Sequence, residues 1–161
     1  MRAMGLMTAA AAALLAISCN REAPQPQPTA TAKATAENTP TIALSDARVQ
    51  LPVVSGRPGA AYFTLSQASG APRKLVGVAV ELAGRAEMHE TKGGSMAPVE
   101  DVPLEPGKAV KFEPGGFHVM LFDLDPKLRL QKKVALTITF DDGGKATAQA
   151  PVTTIAEAME H

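Results

Sequence analysis

Residues 133–144 read Lys133-Val134-Ala135-Leu136-Thr137-Ile138-Thr139-Phe140-Asp141-Asp142-Gly143-Gly144. Val134, Leu136, Ile138 and Phe140 alternate with smaller or polar residues, the period of a β-strand with one buried face. Asp-Asp-Gly-Gly then supplies the chemistry of a turn. The same grammar extends in both directions. Candidate strands cover Ala47–Val54, Ala60–Gln67, Lys74–Leu82, Ala86–Thr91, Ala97–Pro103, Ala109–Glu113, Phe117–Leu124, Lys133–Phe140 and Thr147–Val152, with Ser69-Gly70, Gly93-Gly94, Pro106-Gly107 and Pro114-Gly115-Gly116 among the turns. Short strands with Gly/Pro punctuation and no sustained helical period predict an all-β, Greek-key sandwich or barrel of a single domain. Only Ile155–Glu160 has helical character.

Residues 1–18 have a basic start at Arg2, a short uncharged apolar run and small residues before Cys19. The run is too short to span a bilayer, and the pattern is that of a signal peptide. Small residues before a cysteine resemble a lipobox, which makes Cys19 the expected lipidation site. It is the chain's only cysteine, and an exposed free thiol is a liability in an oxidising compartment. Residues 19–43 are rich in Pro, Ala, Thr and Gln and read as a disordered tether. The folded domain is expected over 44–154, followed by a flexible tail over 155–161. The expected location is the periplasm, with the chain anchored to a membrane by lipid. Asn20 lacks the aspartate that signals inner-membrane retention, which favours the outer membrane.

The 16 Lys/Arg and 16 Asp/Glu cancel, and tryptophan is absent. No basic stripe supports nucleic-acid binding, and aromatic stacking platforms are scarce. With no cysteine in the domain, an internal disulfide, a thiolate metal ligand and a cysteine nucleophile are all excluded.

The chemistry-bearing segment is Phe117-His118-Val119-Met120-Leu121-Phe122. On a strand, His118 and Met120 share a face, with an imidazole beside a thioether. Met88-His89-Glu90 ends another candidate strand, and Met96 follows the Gly93-Gly94 turn. A lone His or Met is usually structural. Here each histidine of the domain has a methionine nearby and a glycine turn beside it. His89, Met96, His118 and Met120 make a soft, uncharged, four-donor set suited to Cu(I). Ag(I) is the other ion such a set would take. Strand alternation turns Met88 inward to the core. Met159 and His161 form a loose pair in the tail.

These residues resemble the PCuAC family of periplasmic copper chaperones. Met96 and His118 have 21 intervening residues, as in that family. Pro114–Leu121, Met88–Thr91, Met96–Val99, Ala60–Leu65 and Leu136–Phe140 match its segments. The resemblance covers about residues 44–153. It implies a cupredoxin-like fold, Cu(I) as cargo, and delivery towards cytochrome c oxidase assembly. The implied partners are copper-receiving proteins such as an oxidase subunit or Sco-type thiol proteins. One departure stands out: six residues separate His89 from Met96, against about ten in the family.

Other functions are weaker. A blue-copper carrier needs a cysteine ligand. Ser95 lies near His89, but no nucleophile motif surrounds it, so no enzyme is expected. The remaining alternative is a metal-free lipoprotein sandwich serving as scaffold or adhesion module.

Overall fold

The computed structural model describes residues 41–154. The signal peptide, Cys19, the tether up to residue 40, the Ile155–Glu160 helix, Met159 and His161 lie outside the described residues. Ten strands form: β1 (Ile42–Gln50), β2 (Gly59–Gln67), β3 (Arg73–Val80), β4 (Ala83–Lys92), β5 (Ser95–Pro98), β6 (Val102–Leu104), β7 (Ala109–Phe112), β8 (Phe117–Leu124), β9 (Lys133–Phe140) and β10 (Lys145–Thr153). Their order is β5-β4-β8-β7-β2-β1-β10-β9-β3-β6, and β8 also pairs with β2. The fold is all-β and cupredoxin-like, as the sequence predicts.

β9 shows how the alternation works. Val134, Leu136, Ile138 and Phe140 are buried, while the residues between them stay partly exposed. They join Val49, Phe63, Leu65, Leu75, Val119 and Leu121 in one core drawn from both halves of the sheet order. Phe63 stacks on Phe112 with ring centroids 4.3 Å apart. Such offset stacking adds to the area that the rings bury.

Two expected strands differ most in the structure, and β3, β4 and β10 differ by one to three residues at their ends. The Ala97–Pro103 run divides into β5 and β6, because Val99–Asp101 leaves the sheet edge to cross to the other side of the order. The first strand begins at Ile42 and ends at Gln50. Pro52 has no backbone N–H to continue a ladder, and Val53 and Val54 are exposed beyond it. At the other end of β1, the register shift between Ser45 and Arg48, with Asp46 at φ 54°, masks the alternation. A 3₁₀ turn at Pro126–Leu130 was not foreseen. Asp125 caps it, its carboxylate accepting from the Lys127 N–H at 2.8 Å.

β4 and β5 form a hairpin closed by Gly93-Gly94, at φ 59° and 82°. Both angles are positive, as a two-residue type I′ turn requires. β5 is an outer edge of the order. The Val99 N–H donates to the Met88 carbonyl at 2.9 Å. Antiparallel alternation then turns the backbone groups of Ala97 towards β4, and those of Met96 and Pro98 outward.

Candidate metal centre

The β5-β4-β8 segment has two faces. Met88, Val119 and Leu121 point into the core, and Met88 is buried as the alternation predicts. The opposite face carries the candidate ligands. On β4 and β8, His89 lies directly across from His118, Glu87 from Met120, and Arg85 from Phe122. On β5, Met96 lies across from Thr91, which shares the face of His89. Register therefore brings all four donors to one face of three adjacent strands. Met96 is diagonal to His89, a separation that long side chains bridge.

The two imidazole rings are 5.9 Å apart, centroid to centroid. His118 is 6% exposed and the His89 side chain 15%. The shortened segment from Glu90 to Ser95 has become the tight hairpin, so strand register places Met96 where a longer loop would leave it free. Met96 is 55% exposed.

Ring partners identify the nitrogens that are free. His118 Nδ1 lies 3.0 Å from the Gly116 carbonyl. A carbonyl only accepts, so Nδ1 carries the proton and Nε2 keeps its lone pair. That Nε2 is buried without a hydrogen-bond partner. His89 Nε2 lies 3.3 Å from Glu87 Oε2, and here Nδ1 is the buried, unpartnered nitrogen. Buried polar atoms are rarely left alone. Two orphaned imidazole nitrogens on one strand face with two methionines are a donor set that fits a soft monovalent ion.

The Pro114-Gly115-Gly116 turn supports this arrangement. Gly115 has φ 86°, where a side chain is strained. The Gly116 N–H donates to the Glu113 carbonyl at 3.1 Å, and the Gly116 carbonyl accepts from the Thr91 N–H at 3.0 Å. The carbonyl that meets His118 is thus fixed to β4 as well.

Glu87 is the residue that sequence reasoning missed. Its side chain also bridges to Arg85, whose guanidinium stands 4.3 Å from the centroid of Phe122. The signal was present: Glu87 and His89 have the same two-residue spacing as His118 and Met120. Among the described residues no cluster of three His, Cys, Asp or Glu side chains is placed to hold a metal.

The family described as "Putative lipoprotein LpqE-like" matches residues 42–152. The chain belongs to the LpqE-like family. A curated member-like relative, "Putative lipoprotein Lxx21020" of Leifsonia xyli subsp. xyli (strain CTCB07), is 27% identical over 107 residues, 63% of this chain. The chain spans 64% of that relative's length. Among solved structures, Cu(I)-DR1885 from Deinococcus radiodurans is 30% identical with a TM-score of 0.60, covering 77% of this chain and 85% of that one. The copper-bound PCuAC domain of PmoF2 shares the fold, at 21% identity and a TM-score of 0.59 over 70% of this chain and 92% of that domain. The apo PCuAC domain of PmoF1 does so at 24% and 0.59, over 70% and 93%. The LpqE-like chain has the fold of the solved PCuAC domains, the fold that its motif resemblance implies.

Proposed function

We propose that this domain is a copper metallochaperone that holds one Cu(I) ion between His89 Nδ1, His118 Nε2 and the sulfurs of Met120 and Met96, and that it performs no catalysis. The observation that carries the reading is the pair of buried, unpartnered imidazole nitrogens on one face with both thioethers. The similarity to Cu(I)-bound DR1885 supports it. Neutral donors suit the ion: thioether ligation needs no proton loss, and neutral imidazole adds no charge. Transfer proceeds by ligand exchange. A partner's donor displaces exposed Met96 first, while His118, on an interior strand, lets go last.

The finer role follows the same logic. Cys19 carries the lipid, residues 20–40 span the gap from the membrane, in the outer membrane by preference, and the domain works in the periplasm. Its recipients are copper-receiving proteins of cytochrome c oxidase assembly, Sco-type thiol proteins among them. Competition for Cu(I) against a chromophoric chelator tests the central claim. One equivalent is expected to bind, and His118→Ala with Met120→Leu is expected to abolish it. Binding that survives both substitutions overturns the site. No binding at all leaves the scaffold role.

A further inference from the structure

We propose that Glu87 is a positioning residue that selects the nitrogen with which His89 binds metal. The inference rests on the Cu(I) reading of the site. Arg85, Glu87 and His89 occupy alternate positions of β4 and so share one face. The carboxylate of Glu87 has two occupied oxygens: Oε1 meets the Arg85 guanidinium, and Oε2 lies 3.3 Å from His89 Nε2. Arg85 is itself held over Phe122, the residue directly across the ladder. The carboxylate is therefore anchored from behind. An ionised carboxylate only accepts, so it keeps the proton of His89 on Nε2 and leaves Nδ1 as the donor.

The consequence is an asymmetric pair. His118 is held through Nδ1 by the Gly116 carbonyl and presents Nε2. His89 is held through Nε2 and presents Nδ1. Nδ1 is the ring nitrogen nearer the backbone, so a metal ion would be held by the inner nitrogen of His89 and the outer nitrogen of His118. An outer partner that fixes a ligating imidazole typically contributes 10- to 100-fold in metal affinity. Glu87 also brings a negative charge near the cation without being a ligand, and Arg85 balances it.

The test uses the full-length chain and long-range ¹H–¹⁵N correlation of the histidine rings, with Ag(I) as probe and Cu(I) competition alongside. Without metal, the proton of His89 is expected on Nε2 and that of His118 on Nδ1. Ag(I) is expected to move the resonances of His89 Nδ1 and His118 Nε2. Glu87→Ala is expected to release the His89 ring proton, split coordination between its two nitrogens and weaken Cu(I) binding by about 10- to 100-fold. Rings of His118 should be untouched. Glu87→Gln keeps an acceptor oxygen and is expected to restore Nδ1 coordination and most of the affinity. Coordination of the parent protein through His89 Nε2 overturns the proposal, as does a Glu87→Ala variant with unchanged His89 resonances and affinity within about twofold. If no ring responds to Ag(I), the copper reading fails instead. In that event the metal-free spectra of the parent and Glu87→Ala still decide whether Glu87 holds the ring.

Discussion

At the scale of single residues the proposed donors differ in how firmly the fold holds them. His118 is buried on a strand flanked by neighbours, and Met96 stands on an edge. Removing His118 is expected to weaken Cu(I) binding by more than about 100-fold, beyond what loss of an outer partner does. Met96→Leu conserves volume, so it should cost under about 1.5 kcal/mol of stability, and it should weaken Cu(I) binding less than Met120→Leu does. Parallel chelator competitions on the three variants check this ranking. Tyr62 gives a separate, pH-dependent prediction. It occupies the same face parity on β2 as Ala60, which pairs with Met120. Burial raises its pKa above the ordinary 10.0, against a smaller lowering by Arg48. The folded state thus keeps the phenolic proton longer than the unfolded one. The associated stability is complete below pH 10.0 and is lost as pH climbs through the folded value. Tyr62 is the chain's only tyrosine, so tyrosinate absorbance in folded and denatured protein reads the two midpoints directly. Sequence made His118 and Met120 legible because alternation is a rigid rule along one strand. The role of Glu87 depends on which way an imidazole ring is turned, and only hydrogen-bond partners reveal that.

At the scale of elements, the β4–β5 hairpin sets where Met96 stands. Gly94 at φ 82° has open space around it, so conformation and not crowding excludes other residues. Gly94→Val should cost about 1–2 kcal/mol and weaken Cu(I) binding by loosening Met96. The His118 ring resonances should stay in place. Denaturant melts and ring spectra of the same sample separate the two effects. β8 and β9 match the expected spans; β9 does so on uninterrupted alternation, whereas β8 buries both His118 and Val119 and is marked by the Pro114-Gly115-Gly116 turn before it. The Ala97–Pro103 run did not survive as one strand. Pro98, Glu100, Asp101 and Pro103 disfavour a continuous strand, but where each half goes depends on distant partners: His89 for Pro98 and Leu75 for Val102. Local pattern contains no information about such partners. The bulge near Asp46 hid the start of β1 in the same way.

At the scale of the whole domain, nine of the ten described strands feed one core and β5 is exposed throughout; anything that binds only the folded form still raises global stability. A ligand at 100 times its dissociation constant adds about 2.7 kcal/mol to the folded state. Saturating Cu(I) is therefore expected to raise the melting temperature of the parent protein and leave that of His118→Ala unchanged. Phe63→Ala, which removes a ring stacked on Phe112, should destabilise the domain by about 3–5 kcal/mol; calorimetry reads both. The sheet order also leaves β5 with nothing beyond it, and an unpaired margin invites a second chain to zip on. Pro98 alters that risk. Its ring nitrogen faces outward with no hydrogen to give, so the N–H of Met96 is the one donor that the described β5 residues turn to the outside. A neighbouring copy approaching along this border finds too few rungs for a ladder. The soft sulfur can stay open to a visitor that brings a donor atom, while backbone-to-backbone clumping is discouraged.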